Sequence, residues 1–278
     1  MIHLSSQWIE NAFLEDAPFG DPASEMVASS IATTEAELIA KEEGVICGTN
    51  LLYPFFRFLD PEANIEIFST DGQLIKPNQK LCTIKCSPYA MLRTERIVLN
   101  LLSYLSGIAT ATQKLANIIA PYGVKLLDTR KILPHYRFLV KYAVRTGGGF
   151  NHRNSLSDLI MLKDNHIRAA GGISYILQYW KDHGQHPMLK TEIEVRTLEE
   201  ALEALPYHPH VLMLDNFSLE KAKEAIDILK QKVAIEVSGG ITEENIEQYA
   251  KLEPDFISVG SITHSVKSMD YSLNIIEQ

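Results

Sequence analysis

The stretch from residue 191 to residue 261 decides the fold, because it repeats a short apolar run followed by polar residues four times. The four runs are TEIEVR (191–196), HVLMLDN (210–216), VAIEVSGG (233–240) and FISVGS (256–261). They begin about 20 residues apart, which is the length of one strand, one helix and two loops. This spacing predicts parallel strands that alternate with helices.

Two earlier runs extend the series toward the start of the chain, namely VKLLDTRK (124–131) and LIMLKDN (159–165). A series of this kind favours a β/α barrel. A doubly wound open sheet is the competing architecture. It is less favoured because no glycine motif of the GxGxxG kind follows the first strand.

The first part of the chain has a different pattern. Alternating apolar residues near positions 36–40 and 65–67 predict antiparallel strands, and residues 81–84 are expected to pair back across them. From Met91 onward, apolar residues recur every three or four positions, which predicts a buried helix. We therefore expect an α/β domain with a connecting helix at 1–110 and a barrel at 111–278, with a C-terminal helix that packs back on the first domain.

The composition is that of an ordinary folded protein, with 46% hydrophobic and 22% charged residues among 278. A formal net charge of -9 argues against a nucleic-acid or anionic-membrane surface. No apolar run reaches the roughly 18 to 20 residues of a membrane span, and the acidic N-terminal segment predicts a cytoplasmic protein. The three cysteines, an odd number with no metal-ligand spacing, are expected to be buried thiols.

Functional residues in a β/α barrel come from the C-terminal ends of the strands. Here cations follow the first two predicted strands, carboxylates the next two, and glycines the last two. In order, these positions are Arg130 and Lys131, Lys163 and Asp164, Glu194 and Arg196, Asp215 and Asn216, Ser238 with Gly239 and Gly240, and Gly260 with Ser261. One polar residue after a strand is usually a helix cap or a solvated loop, but the ordered set indicates a ligand site.

Each part of this set has a chemical interpretation and a plainer structural one. Glycines let backbone N–H groups approach a phosphate, or they simply form tight turns. Glu194 and Asp215 could bind ribose hydroxyls and Mg2+, or could be paired with neighbouring cations. His152 and Arg153, beside a glycine triplet, suggest a polyanion site, whereas His166 has the simpler interpretation of a helix cap.

Nine strings, taken together and in order, resemble one family. They are GDPAS, KEEGVICG, ERIVLNLLSYLSGIAT, LLDTRK, KYAVRTGGGFNHR, MLKDNHI, MLDNF, EVSGGIT and ISVGSITHSVKSMDYSL. The family that they resemble is quinolinate phosphoribosyltransferase, over about residues 14–273. The resemblance implies a type II phosphoribosyltransferase with an N-terminal open-faced α/β sandwich, a seven-stranded α/β barrel, and a homodimer or an assembly of dimers. The implied reaction converts quinolinate and phosphoribosyl pyrophosphate to nicotinate mononucleotide, CO2 and pyrophosphate in de novo NAD biosynthesis.

The resemblance also assigns roles by position. Arg130, Lys131, His152, Arg153 and Lys163 look like a basic pocket for the two quinolinate carboxylates, and Arg96 looks like a residue supplied by the neighbouring subunit. Glu194 and Asp215 match carboxylates near ribose and Mg2+, directly or through water. The implied phosphate loops contain Ser238, Gly239, Gly240, Val259, Gly260 and Ser261, and Thr129 and His264 complete the implied substrate site. The residues expected to act in catalysis are Lys131, Lys163, Glu194 and Asp215.

Two positions depart from the family pattern, since Ile132 stands where Thr is usual and Arg196 where an acidic residue is common. Two rival hypotheses are a homologue of this fold associated with molybdate transport and a non-catalytic metabolite-binding barrel. The intact strings NHR (151–153) and KDNH (163–166) favour the enzyme. The reaction is expected to need positioning and charge rather than an obligatory general base.

Overall fold

A computed structural model of the chain describes residues 4–27, 33–183 and 188–276. The chain divides into two compact units. The first unit contains Met1–Gln113, Phe138–Gly148 and Val266–Gln278, and the second contains Lys114–Arg137 and Gly149–Ser265. The division is therefore discontinuous in sequence, unlike the single boundary expected near residue 110.

The first unit is built on antiparallel strands. Its strands are β1 (Thr34–Ala40), β2 (Gly44–Val45), β3 (Asn64–Ile67), β4 (Leu74–Ile75), β5 (Lys80–Cys86) and β12 (Tyr271–Ile275). Its helices are α1 (Ser6–Asp16), α2 (Pro22–Val27), α3 (Leu52–Leu59), α4 (Pro88–Ile119, whose last residues belong to the second unit) and α5 (Arg137–Thr146), with a 3-10 turn at Thr49–Leu51.

Four of these strands form one sheet in the order β12-β1-β5-β3, and β2 pairs separately with β4. Every second residue of β1 is buried, as the alternating apolar pattern predicts for a sheet with one packed face. β5 pairs with β1 and β3, which confirms the predicted return strand. The expected C-terminal helix is wrong. Residues 271–275 extend the sheet as β12, because their backbone pairs antiparallel with the free edge of β1.

Helix α4 covers the apolar repeat that the sequence shows from Met91. The predicted core positions Val98, Leu101, Leu102, Leu105 and Ile108 are all buried. Their three- and four-residue spacing places them on one helix face, and burial of that apolar face stabilises the helix.

The second unit is a parallel α/β structure. Its strands are β6 (Lys125–Leu127), β7 (Ile160–Leu162), β8 (Thr191–Val195), β9 (Val211–Asp215), β10 (Ala234–Ser238) and β11 (Phe256–Ser258). Its helices are α6 (Asp164–Ala170), α7 (Ile173–His183), α8 (Leu198–Ala204), α9 (Leu219–Leu229), α10 (Ile246–Ala250) and α11 (Ser261–His264), with 3-10 turns at Ala120–Tyr122 and Leu205–Tyr207.

The strand order is β6-β11-β10-β9-β8-β7, so the first strand pairs with the last. A doubly wound sheet would not bring the two ends of the series together, whereas a barrel does. Phe150 adds a seventh position, because it forms a single parallel bridge to Leu127 on the other side of β6. The barrel therefore has seven positions, of which six are strands and one is the single bridge at Phe150. The resemblance implied seven strands.

Two expectations from composition can be compared with the described residues. None of the helices there is long and apolar enough to cross a membrane. Cys47, Cys82 and Cys86 are free and buried, as predicted. Burial raises the pKa of Cys82 and Cys86 to about 12.

Candidate active site

A cavity of about 730 Å³ lies at the C-terminal ends of the barrel strands in the second unit. Every residue that the family resemblance assigns to the substrate site lines it, except Arg96. These residues are Thr129, Arg130, Lys131, His152, Arg153, Lys163, Glu194, Asp215, Ser238, Gly239, Gly240, Val259, Gly260, Ser261 and His264. The strand-end rule therefore located this cavity from sequence, while the roles of its residues stay predictions.

Two arginines that the sequence analysis named do not line the cavity. Arg96 is exposed on α4 in the first unit and does not line the cavity. Arg196 follows β8 but also stays out of the cavity lining. Its Nη2 lies 3.1 Å from Oδ2 of Asp164, another residue of the strand-end set that does not line the cavity.

The basic side of the cavity begins after β6. The Thr129 hydroxyl accepts a hydrogen bond from the backbone N–H of Lys131 at 3.1 Å, which shapes the turn that carries Arg130 and Lys131. The Nε of Arg130 is buried and has no hydrogen-bond partner among the described residues. A buried guanidinium N–H without an acceptor is costly, so this atom fits a site that receives an anionic ligand.

The NHR segment is held in place by Asp128, which is fully buried. Its Oδ1 accepts from the backbone N–H of His152 at 2.8 Å, and its Oδ2 accepts from the Asn151 side chain at 2.7 Å. Burial, together with the charge of Arg130, lowers the pKa of Arg153. Two guanidinium groups that repel each other in one cavity favour binding of an anion between them.

Lys163 joins the basic and acidic sides of the cavity. It follows β7, and its Nζ lies 2.8 Å from Oε2 of Glu194 on the adjacent strand β8. The structure confirms that His166 caps a helix. Its Nδ1 accepts from the backbone N–H of Lys163 at 3.0 Å, so the third residue of α6 satisfies the N–H of the residue that precedes the helix.

The acidic side consists of Glu194 and Asp215, from the adjacent strands β8 and β9. Burial raises the pKa of Asp215, and the negative charge of Glu194 raises it further. Two neighbouring carboxylates fit a divalent cation, because their oxygens are the donors that Mg2+ prefers. The donor set of this cavity is therefore compatible with Mg2+.

The turn after β10 requires glycine at position 239. Gly239 has a φ of 86°, and a Cβ there would lie 2.5 Å from Oδ1 of Asn216. After β11, a Cβ on Gly260 would lie 3.0 Å from Nε2 of His264 and 3.3 Å from the Lys131 side chain. Neighbouring side chains therefore leave no room for a side chain at either position. A glycine backbone at such a turn suits close approach of a phosphate.

Sequence reasoning missed two buried glutamates, Glu236 on β10, which lines the cavity, and Glu192 on β8, which does not. His152 Nε2 lies 3.0 Å from Oε2 of Glu192 and 3.5 Å from Oε2 of Glu236. A signal was present, because Glu192 and Glu194 alternate along an apolar strand and therefore point to the same face. The cavity also contains Met161 and Met213, which give it an apolar surface.

Comparison with known proteins agrees with this geometry. The N-terminal domain model of quinolinate phosphoribosyl transferase matches residues 21–106, and the C-terminal domain model matches residues 108–274. The chain therefore belongs to the quinolinate phosphoribosyl transferase family, which confirms the resemblance seen in its sequence.

Relatives match along nearly the whole chain. A Bacillus subtilis protein named "Probable nicotinate-nucleotide pyrophosphorylase (carboxylating)" is 36% identical over 99% of this chain and 95% of its own length. Quinolinate phosphoribosyltransferase (decarboxylating) 1 of Nicotiana glauca is 34% identical over 96% of this chain and 81% of its own. The solved structure of nicotinate-nucleotide pyrophosphorylase from Francisella tularensis is 38% identical, with a TM-score of 0.90 over 98% of this chain and 95% of that one.

Proposed function

We propose that this chain is a decarboxylating phosphoribosyltransferase that converts quinolinate and phosphoribosyl pyrophosphate to nicotinate mononucleotide, CO2 and pyrophosphate, a step of NAD biosynthesis. The observation that carries the proposal is the arrangement of one cavity, with cations on one side and carboxylates and glycine turns on the other. The basic side suits a dicarboxylate acceptor, and the other side suits a phosphorylated ribose donor.

The acceptor is bound by charge. Arg130, Arg153 and Lys163 contact the two carboxylates of quinolinate, and the unpartnered Nε of Arg130 gains an acceptor. Met161 and Met213 pack against the apolar ring. Fixing both carboxylates orients the ring nitrogen toward the ribose, so a large part of the catalysis is positioning.

The donor is bound at the acidic and glycine-rich side. The turns at Gly239 and Gly260 present backbone N–H groups to phosphate, and Glu194 and Asp215 accept hydrogen bonds from ribose hydroxyls. The same two carboxylates would hold Mg2+, which supplies charge neutralisation on the pyrophosphate. Lys131 belongs to the basic side, but its side chain lies next to Gly260, so its positive charge also acts on the phosphate turn.

The chemistry then follows from charge development. The bond between ribose C1 and pyrophosphate breaks as the ring nitrogen forms its new bond, and the cationic side chains stabilise the departing charge. The nitrogen is now quaternary and positive. When the C2 carboxylate leaves as CO2, its electron pair stays on C2 beside that positive nitrogen until a proton replaces it. No general base is required.

We further propose that the working unit is a homodimer, or an assembly of dimers, in which Arg96 enters the cavity of the neighbouring chain. Two observations support this role. Arg96 is exposed on α4, so another chain can reach it, and it is the predicted site residue that is absent from the lining of this chain's own cavity. We also propose a cytoplasmic location, where both charged substrates are retained because they cross a lipid bilayer poorly.

Purified protein tests the proposed function directly. Quinolinate should be consumed only when phosphoribosyl pyrophosphate and Mg2+ are both present, and nicotinate mononucleotide should accumulate in equal amount. A non-catalytic binding barrel would bind quinolinate without consuming it. Binding without turnover, measured by calorimetry and product analysis on the same preparation, would therefore contradict the proposal.

A further inference from the structure

Asp128 joins the two segments that carry the arginines of the cavity. It follows β6, precedes the turn with Arg130, and is fully buried. Its Oδ1 accepts a hydrogen bond from the backbone N–H of His152 at 2.8 Å, and its Oδ2 accepts one from the side-chain amide of Asn151 at 2.7 Å. Arg153 is the next residue along the chain. The binding roles proposed above do not use Asp128.

We propose that Asp128 is a positioning residue, which fixes Arg153 relative to Arg130 and thereby sets the selection of a dicarboxylate over a monocarboxylate. Asp128 does not touch the ligand in this role, since it is fully buried and does not line the cavity. The identity of the dicarboxylate as quinolinate rests on the proposed function, whereas the link between Asp128 and the two arginines does not.

The backbone pairing at this point of the barrel is short. Phe150 forms a single bridge to Leu127. Its N–H donates to the carbonyl of Leu126 at 2.8 Å, and its carbonyl accepts from the N–H of Asp128 at 3.1 Å. A regular parallel strand would continue this ladder of backbone hydrogen bonds. The side chain of Asp128 instead bonds to the two residues that follow Phe150, so one carboxylate extends the contact between the two segments.

The donors that face Asp128 require a carboxylate. Both of these contacts come from N–H groups, so each oxygen of the side chain accepts one hydrogen bond. An asparagine at this position would offer one oxygen and one NH2 group, and the NH2 group would face another donor. A buried polar group without a partner is costly. Asp128→Asn therefore breaks one of the two contacts with almost no change in side-chain volume.

The two arginines need a restraint because they repel each other. Burial lowers the pKa of Arg153, and the positive charge of Arg130 lowers it further. The Nε of Arg130 is buried and has no hydrogen-bond partner among the described residues, so a carboxylate of the ligand would complete it. Two guanidinium groups held at a fixed separation match two anionic groups better than one. If the segment with Arg153 moved away, the cavity would lose this preference.

Calorimetry measures the preference without turnover. The dissociation constants of quinolinate and nicotinate are measured for the full chain and for Asp128→Asn, by displacement for the weaker ligand. Quinolinate binding should weaken roughly tenfold in the variant, as for loss of one charge-assisted contact. Nicotinate binding should weaken less, because a single carboxylate can still use Arg130 and Lys163. The ratio of the two constants should therefore move toward one, and an unchanged ratio would overturn the proposal.

Steady-state kinetics separates positioning from a structural role. In Asp128→Asn the KM for quinolinate should rise more than the KM for phosphoribosyl pyrophosphate, since the glycine turns follow other strands, β10 and β11. An equal rise of both KM values would indicate a general loss of structure and contradict the proposal. The matched control is Asp255→Asn. Asp255 Oδ2 also accepts a backbone N–H, from Ile235 at 2.8 Å, but at the N-terminal end of the strands. Both KM values should stay unchanged there.

A second variant keeps the inference testable if Asp128→Asn does not fold. Asn151→Ala removes the donor to Oδ2 and leaves the buried carboxylate in place, so it should shift the binding ratio in the same direction by a smaller amount. In an Arg153→Ala background, Asn151→Ala should have little further effect, because the group to be positioned is gone. An equal effect in both backgrounds would contradict an action through Arg153.

The same measurements distinguish this inference from the proposed function. Quinolinate binding without turnover would contradict the proposed function, while the change in the binding ratio still decides the role of Asp128. Turnover with an unchanged ratio in both Asp128→Asn and Asn151→Ala would leave the proposed function intact and assign Asp128 a purely structural role. If the unaltered protein bound neither acid, both would fail.

Discussion

Lys163 Nζ and Glu194 Oε2 lie 2.8 Å apart and connect two adjacent strands of the barrel, β7 and β8. The pair also marks the boundary between the cationic and the acidic sides of the cavity. The side chain of Lys163 is 42% exposed, so its contact with Glu194 adds little to stability, at most about 1 kcal/mol. We therefore expect Lys163 to act in binding, where it would exchange the carboxylate of Glu194 for one of the substrate.

Replacing Lys163 should separate activity from stability. We expect Lys163→Ala to lose activity roughly tenfold to a hundredfold or more, as for loss of one charge-assisted contact, while its thermal midpoint stays close to that of the unaltered protein. Lys230→Ala is the matched control, because Lys230 forms a surface pair of the same length with Glu253. Retained activity in Lys163→Ala, or a loss explained by unfolding, would assign Lys163 a structural role.

The two carboxylates should act mainly on the donor. Glu194→Gln and Asp215→Asn should raise the KM for phosphoribosyl pyrophosphate and the Mg2+ concentration needed for half activity, since both remove negative charge from the acidic side. Quinolinate binding should change less. Steady-state kinetics with each substrate varied in turn would test this, and a defect limited to quinolinate binding would be inconsistent with it.

The cationic side should select a dicarboxylate. Nicotinate lacks one of the two anionic groups, and loss of a charge-assisted contact costs on the order of 1.5 to 3 kcal/mol. The kcat/KM for nicotinate should therefore be roughly tenfold to a hundredfold lower than for quinolinate, or lower still. Competition between the two substrates in one reaction measures this ratio, and a ratio near one would refute dicarboxylate selection.

Gly239 should be intolerant of a side chain for two reasons. Its positive φ strains any other residue by about 1 to 2 kcal/mol, and a Cβ would collide with Asn216. We expect Gly239→Ala to be less stable and to have a higher KM for phosphoribosyl pyrophosphate. Gly171→Ala is the matched control, because Gly171 has the same φ of 86°, with nothing within 4 Å of its Cβ position. It should lose stability but keep its KM.

Sharing of Arg96 between chains can be tested by mixing inactive variants. Arg96→Ala and Arg130→Ala homodimers should each be inactive, because every site lacks one cation. In a mixed dimer, one site takes Arg130 from its own chain and Arg96 from the partner. Random exchange makes about half of the dimers mixed, with one complete site in two, so roughly a quarter of the activity should return.

The control for that mixture combines Arg130→Ala with Lys163→Ala. Both residues line the cavity of the same chain, so each site of this mixed dimer still lacks one cation and no activity should return. If the Arg96 and Arg130 variants exchange subunits demonstrably and recover nothing, Arg96 does not complete the neighbour's site.

Much of the barrel could be predicted from the sequence because its signals are local. Each strand of the second unit is an apolar run that ends in a polar residue, and the C-terminal ends of parallel strands meet at one edge. This rule alone brought Lys163, Glu194 and Asp215 together. The missed features depend on distant contacts. Phe150 takes its barrel position through one bridge to Leu127, and residues 271–275 become a strand by pairing with β1.

The sequence analysis missed the two buried glutamates for a different reason. Glu192 and Glu236 lie inside strands rather than after them, so a search of strand ends passes over them. Their alternation with Glu194 and Ser238 places them on the inner face, but their shared contact with His152 follows only from the packing of three strand positions.

The most direct test of the central claim follows the carboxyl group that should leave. Quinolinate labelled with a carbon isotope in its 2-carboxyl group is incubated with the protein, Mg2+ and phosphoribosyl pyrophosphate, and labelled CO2 and nicotinate mononucleotide are measured together. We predict equal amounts of the two products and no labelled CO2 when phosphoribosyl pyrophosphate is left out. Label retained in the nucleotide, or CO2 released without the donor, would contradict the assignment of this cavity as a decarboxylating phosphoribosyltransferase site.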